Sequence, residues 1–270
     1  MIEKNLIFLL SPLLSLSIVL IIFLICNSFL KLGVDKFSGI QKIHYGESLR
    51  IGGVPIFFST LFAIGFFSDI KKFYIIMFCL LPVFLSGLIE DISQNTTVRF
   101  RLLGSAVTSI LLIIFNGSFV SNIDMPIIQD FFSNIYFSSA FTIIGYIAII
   151  NAFNFIDGVN GLSSGLGLVS IGTLSYYAFS YGNFDLSYFS LVFLLALGPF
   201  WIVNITTGKM FLGDSGSYLV GIFIGWLGVE LVFRENTFSP WYVFFIILYP
   251  AIELIFSVMR RLINQQSPFE

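Results

Sequence analysis

The sequence predicts an all-α fold, a polytopic bundle of about nine membrane-spanning helices forming one domain over residues 1–270. Three observations carry this. First, 57% of the residues are hydrophobic and only 10% charged, with a mean hydropathy of +0.97. A soluble domain carries about 25% charged and 45–50% apolar residues. Second, apolar runs of spanning length recur along the whole chain. A hydrocarbon core about 30 Å thick needs roughly 20 apolar residues of helix. Third, these runs do not alternate apolar and polar residues, so a transmembrane barrel is excluded.

The runs follow one another between short polar stretches. The first, 6–30, lacks a strongly basic leader and a small-residue cleavage site, so it reads as a retained helix. The second, 51–67, follows the long loop "KLGVDKFSGIQKIHYGESLRIGG". The third, 73–89, lies between "SDIKK" and "EDISQNTTVRFR". After it come 102–120 and 135–153, the latter ending in "NAFNFIDGVNG". Run 162–181 follows that row of amides, and 188–203 follows "SYGNFDLS". Run 217–233 follows "NITTGKMFLGDSG", and 241–258 precedes "RRLINQQSPFE". There is no internal repeat. Cys26 and Cys79 both lie inside apolar runs and read as small buried hydrophobes. The net charge of -2 and the absence of a Lys/Arg run give no sign of a nucleic-acid partner.

Nine helices put the two ends of the chain on opposite sides. One side then holds Lys31, Lys36, Lys42, Arg50, Arg99, Arg101, Lys209, Arg260 and Arg261; the other holds Lys4, Lys71, Lys72 and Arg234. The side richer in basic residues is cytoplasmic. The acids Glu90, Asp91, Asp157 and Asp214 all fall on that side, in three separate loops with glycine nearby. Carboxylates at membrane depth are expensive and mark functional sites.

Carboxylates and amide oxygens converging at one surface suit a hard cation. Mg²⁺ takes few carboxylates and keeps positions for substrate phosphates. "GDSG" before an apolar run puts Ser215 and free N–H groups at a helix N-terminus, which favours anions. Arg50, Arg99, Arg101 and Lys209 share the face and suit phosphates. In 151–161, Asn151, Asn154 and Asp157 recur every third residue. On a helix that spacing forms one band, which turns inward because lipid offers amides no partner. Interhelical packing is one reading of this band; the wall of a site is the other. Residue chemistry alone leads to a Mg²⁺- and phosphate-handling site at the cytoplasmic face.

Four blocks, "HYGESLRIGG", "GLIEDISQNTTVRFRLLG", "NAFNFIDGVNGL" and "FLGDSGSYLVG", occur in an order that resembles the polyprenyl-phosphate N-acetylhexosamine-1-phosphate transferases. The resemblance is to the WecA-like branch of glycosyltransferase family 4. It implies transfer of an N-acetylhexosamine 1-phosphate from a UDP-linked sugar to undecaprenyl phosphate, with UMP released. UDP-N-acetylglucosamine is the default donor, and the product initiates an O-antigen or related envelope glycan. Mg²⁺ is the implied cofactor, with Mn²⁺ as an alternative. The implied setting is the bacterial inner membrane, multi-pass, and a homodimer is compatible with it.

The same resemblance implies roles. Asp91, beside Glu90 in place of a second Asp, handles the lipid phosphate or its proton; Asn154 and Asp157 match the amide and acid of the third block. Asp214 matches a Mg²⁺ ligand, with Asp157 as a second metal residue. Phe211 matches an aromatic that stacks on uracil; Asn204, Asn160, Arg50 and Lys209 complete the substrate contacts. Asn160 stands where many relatives carry Asp, and Glu90-Asp91 replaces the family's Asp-Asp pair. The family also has a His-rich loop and further helices beyond the position of Glu270, whereas the sole histidine here is His44. Two other readings stay open: a transporter or channel with a polar path, and a non-catalytic family member that binds without turnover.

Overall fold

The structure is a computed structural model that describes residues 13–14, 16–18, 21, 49–65, 70–234 and 238–265. The expected run at 6–30 lies almost entirely outside these residues, as do Lys42 and His44. Ten helices are present among the described residues: α1 (Gly53–Ile64), α2 (Ile70–Ser93), α3 (Val98–Asn116), α4 (Gln129–Phe132), α5 (Ile135–Phe155), α6 (Leu162–Ser180), α7 (Phe184–Thr207), α8 (Gly213–Arg234), α9 (Pro240–Ile246) and α10 (Leu248–Ile263). The one β-type pairing among the described residues is an isolated parallel bridge, Leu49 to Met210. The all-α membrane-type bundle is therefore as the sequence predicts.

Each of the eight remaining expected runs falls on a helix, but fewer have the dimensions of a span. Among the described residues, five helices are long and apolar enough to cross a membrane: α2, α3, α5, α7 and α8. The pair α9–α10 makes a sixth only as a span bent by 67°. Three local causes explain why these eight runs give five such helices. Helix α1 has 12 residues, so its length is about 18 Å. Helix α6 is diluted by small polar residues; its buried face includes Ser163, Ser164, Gly167, Ser170 and Ser175. The run 241–258 breaks because Pro250 can neither donate to residue 246 nor clear its carbonyl.

Termini are set by ordinary caps. The Thr97 hydroxyl accepts the Phe100 N–H at the start of α3, and the Asn183 side chain accepts the Leu186 N–H at the start of α7. Inside α2, Pro82 interrupts the ladder, and the Val83 N–H donates instead to the Thr108 hydroxyl of α3 at 3.0 Å.

Helix α8 is the hub, with 89% of its spanning window buried. Glycine lets its neighbours approach. A Cβ on Gly221 would lie 2.9 Å from the Ile149 carbonyl oxygen of α5, and one on Gly167 would lie 2.7 Å from Val220. Close backbone approach of this kind drives helix association in lipid. An aromatic layer fills the centre: Phe193 stacks on Phe223 at 3.9 Å, and Phe73 on Phe189 at 4.5 Å.

Two polar clusters cap this core at opposite ends. Helices α2 and α8 run antiparallel, with Asp91 beside Asp214 at one end and Lys72 beside Glu230, at 3.5 Å, at the other. Glu230 is fully buried and accepts from Asn116 at 2.6 Å, Ser118 at 2.5 Å and Arg234. A buried acid needs such partners, since an unpaired charge there costs several kcal/mol. The Arg261 guanidinium lies 4.9 Å from the Phe155 ring centroid, which brings the end of α10 to the Asp214 end. Arg50, Arg101 and Arg261 thus gather at one end and Lys72 and Arg234 at the other, the division that the basic residues predict.

This arrangement makes a topological prediction. Cysteines introduced at Ser93 and Gln265 should resist an impermeant thiol reagent in intact cells, while one at Asn183 should react. Reaction at all three, or at the first two only, overturns the assignment of the Asp214 end to the cytoplasm.

Candidate active site

The site is assembled where α2, α3 and α5 meet the first turn of α8. A short extended segment prepares it. The Leu49 N–H donates to the Lys209 carbonyl at 2.9 Å, and the Phe211 N–H to the Leu49 carbonyl at 2.7 Å. The Gly52 and Gly53 N–H groups continue the pairing to Phe211 and Leu212. The loop preceding Asp214 is thereby fixed. Gly213 then turns the chain into α8 with φ +69°. A Cβ there would sit 2.2 Å from the Arg50 carbonyl oxygen and 2.6 Å from Asp91 Oδ1, so glycine is required both for its dihedral and for its size.

Asp91 closes the other side of this turn. It is 1% exposed. Its Oδ1 accepts the Asp214 N–H at 2.7 Å, and its Oδ2 accepts the Ser215 N–H at 2.9 Å and the Ser215 hydroxyl at 2.6 Å. The carboxylate of α2 therefore caps the N-terminus of α8, where a negative charge meets free N–H groups and the positive end of the helix dipole. Gly87, one turn earlier on α2, allows the approach: a Cβ there would lie 2.5 Å from the Ser215 nitrogen.

Asp214, 2% exposed, is the centre. Its Oδ1 accepts from Asn154 Nδ2 at 3.0 Å and stands 3.4 Å from an Arg50 nitrogen. Its Oδ2 accepts from Arg101 Nη1 at 2.9 Å and from the Tyr218 hydroxyl at 3.0 Å. Asn154 is itself held by a second bond to Ser217 at 3.1 Å. One carboxylate thus ties α3, α5 and α8 together with the segment bearing Arg50.

Asp157 lies in the turn after α5, which ends at Phe155, and not on the helix. The expected inward band is therefore shorter than three residues. Asn154 faces Asp214, whereas Asn151 donates to its own helix at the Ile147 carbonyl. Loss of solvation pushes the Asp157 carboxyl well above its ordinary pKa. Arg50 and the Gly213 N–H oppose this, and the charges of Asp91 and Asp214 add to it.

The remaining expected residues divide between the site and its supports. Asn204 is buried; it accepts the Gly161 N–H at 2.5 Å and donates to the Met210 carbonyl at 2.6 Å. It ties the 157–161 turn to the 209–212 loop, an arrangement in which both ends of its amide are engaged. The side-chain amide oxygen of Asn160 is buried with no hydrogen-bond partner among the described residues. Phe211 is half-buried and Lys209 exposed on the same loop. Glu90 turns to the next loop, accepting the Thr96 N–H at 2.9 Å and its hydroxyl at 2.5 Å. The structure adds Tyr218, which lies one helical turn after Asp214, and makes Arg101 a direct partner of that acid.

No three Asp, Glu, His or Cys side chains stand as a ready coordination shell among the described residues. Charge is what fits a hard cation. Asp91, Asp157 and Asp214 lie at one end of the bundle, and two guanidiniums oppose their charge. Mg²⁺ held by one or two carboxylates and completed by substrate phosphates needs no more.

Comparison with known proteins identifies the family. A probable undecaprenyl-phosphate N-acetylglucosaminyl 1-phosphate transferase of Bacillus subtilis (strain 168) is 26% identical over 88% of this chain and 66% of its own length. The undecaprenyl-phosphate alpha-N-acetylglucosaminyl 1-phosphate transferase of Escherichia coli (strain K12) gives the same three figures. That of Thermotoga maritima is 30% identical over 85% of this chain and 66% of its own length. The chain thus spans slightly less than two thirds of these relatives. The family match, to glycosyl transferase family 4, runs from residue 73 to 232 and so takes in the Asp91 clamp, the Asn154 and Asp157 turn and the Asp214 helix. With more than half of its residues in that match, the chain belongs to glycosyl transferase family 4.

Proposed function

We propose that this chain carries the catalytic end of a membrane phosphoglycosyl transferase. It moves an N-acetylhexosamine 1-phosphate from a UDP-linked sugar to undecaprenyl phosphate. An oxygen of the lipid phosphate attacks the β-phosphorus of the donor, the bond to the uridylyl oxygen breaks, and UMP leaves. The product is undecaprenyl-diphospho-sugar, the start of an envelope glycan. The observation that carries the reading is the buried Asp214 held between two guanidiniums at the head of α8, at one end of an otherwise apolar bundle. The names of the relatives support the same reaction.

Each side chain then has a task. Arg50 and Arg101 suit the diphosphate, because a guanidinium matches phosphate oxygens in pairs. Phe211 stacks on the uracil, with Lys209 and Asn160 beside it. Asp91 fixes the turn bearing Asp214, and Asn204 fixes the loop bearing Phe211. Asp157 and Asp214 hold Mg²⁺, or Mn²⁺, which when bound neutralises the charge developing on the diphosphate. A phosphate monoester is largely ionised at neutral pH, its second pKa being about 6, so no strong base is needed and direct attack in a ternary complex is favoured.

The lipid tail has a place as well. A cavity of about 570 Å³ lies between α5, α8 and the bent pair α9–α10, lined by Tyr146, Ile149, Phe153, Val229, Val243 and Leu254 among others. Phe153 precedes Asn154, the partner of Asp214, so an apolar chain in the cavity would reach toward the site end of the bundle. A transporter is disfavoured. The described polar clusters sit at the two ends of the bundle, and the Phe193, Phe223 and Trp226 rings fill the space between.

The full chain in detergent, given UDP-N-acetylglucosamine, undecaprenyl phosphate and Mg²⁺, should release UMP in step with a diphospho-linked lipid. Release of UDP instead, or no release with any UDP-N-acetylhexosamine, overturns the proposal.

A further inference from the structure

The Asp214 carboxylate is fully engaged. A carboxylate has about four acceptor positions, and Asn154, Arg50, Arg101 and Tyr218 all point at this one. A cation reaches it only by displacing a donor. Tyr218 is buried on the same helix, one turn along, and Asn154 is pinned by its second bond to Ser217. Both are neutral, and a dication does not repel them. Arg50 stands at 3.4 Å, longer than a charge-assisted bond of about 2.7–2.9 Å.

Arg101 differs from these three. It makes the shortest charged contact, 2.9 Å, from a long side chain that is 24% exposed. Its Nε is buried and has no hydrogen-bond partner among the described residues. A buried unpaired donor is costly, and the edge formed by Nε and one Nη matches two phosphate oxygens. Its full positive charge also opposes a dication at the same carboxylate.

We infer that Arg101 competes with the divalent cation for Asp214: its guanidinium occupies the carboxylate in the substrate-free protein and swings onto the substrate's diphosphate as the cation is taken up. This rests on the reading of Asp214 as a cation ligand. The exchange keeps the buried acid neutralised while the site is empty, and it delivers a bidentate donor to the phosphates once the site fills. Two readouts should therefore move in opposite directions when the charge is removed. Arg101→Gln should bind Mn²⁺ more tightly than the parent without nucleotide, on the order of tenfold. The same variant should turn over about 10²-fold more slowly. Arg101→Lys, which keeps the charge but not the fork, should bind Mn²⁺ like the parent and recover only part of the turnover.

Free Mn²⁺ measured by electron paramagnetic resonance on the full chain in detergent gives the affinities. Equal or weaker Mn²⁺ binding by Arg101→Gln overturns the inference, as does parental turnover. Should Arg101→Gln not fold, the unmodified protein still decides. Mg²⁺ alone should shift the ¹⁵Nε–H signal of Arg101, assigned from Arg101→Lys, and an unmoved signal at saturating Mg²⁺ overturns the inference. Asp214→Asn separates the two levels. If that variant binds Mn²⁺ like the parent, the ligand reading itself fails. If it loses Mn²⁺ while Arg101→Gln behaves like the parent, only the competition fails.

Discussion

Asp214→Asn is expected to lower transfer by about 10²–10³-fold, the effect of removing one preorganised electrostatic group from a site. The amide keeps the size of the side chain and an acceptor for Asn154 or Tyr218, so the bundle should still assemble. It removes the charge between Arg50 and Arg101. Two guanidiniums left facing each other without a carboxylate are unfavourable, and the melting temperature in detergent should fall. UMP release measured across a wide range of Mg²⁺ concentrations checks the first point. If the variant reaches the parental rate at any Mg²⁺ concentration, the acid does not work as a ligand in turnover.

Asp91→Asn should lose transfer and stability together. Asp91 receives three hydrogen bonds from the first turn of α8. An amide keeps one acceptor oxygen and turns its N–H₂ group toward either the Asp214 N–H or the Ser215 N–H and hydroxyl. Each buried donor left unsatisfied costs about 1–3 kcal/mol. The turn carrying Asp214 then relaxes, and the site relaxes with it. A residue whose sole task is to take a proton behaves differently, losing rate at constant melting temperature. Thermal unfolding in detergent measured alongside turnover distinguishes a clamp from a base. A third outcome is also informative. A stoichiometric burst of UMP from lipid-free protein, abolished in Asp91→Asn, would point to a covalent phospho-enzyme and ping-pong kinetics. It would overturn direct attack.

The acids at the head of α8 and the end of α2 were legible because lipid excludes charge. A carboxylate that persists beside an apolar run has a partner or a task, and Asp91, Asp157 and Asp214 stand out on that ground. Glu230, at the opposite end, is not among the acids that the sequence singles out. Its neighbours Lys72 and Arg234 enter the sequence reading only as part of the division of basic residues, and nothing local signals that the acid between them is fully buried. The bend at Ile247 had a local signal in Pro250, which apolarity masked. Asp157 was placed on the helix because spacing by three continues past Asn154, whereas the chain leaves the helix at Phe155.

The sequence by itself determined the class of the fold, eight helical stretches and the end of the bundle at which Asp91, Asp157 and Asp214 gather. These follow from hydropathy and from the cost of charge in lipid, both of which are properties of a local stretch of chain. Only the tertiary structure decided what each polar side chain does. Asp91 and Asp214 are separated by more than a hundred positions, yet one carboxylate caps the helix that begins with the other. Asn204 became a brace and Arg101 a partner of Asp214 for the same reason. Hydrogen-bond direction and the close approach that Gly87 and Gly213 permit depend on how three helices cross, and no periodicity along one chain encodes that crossing.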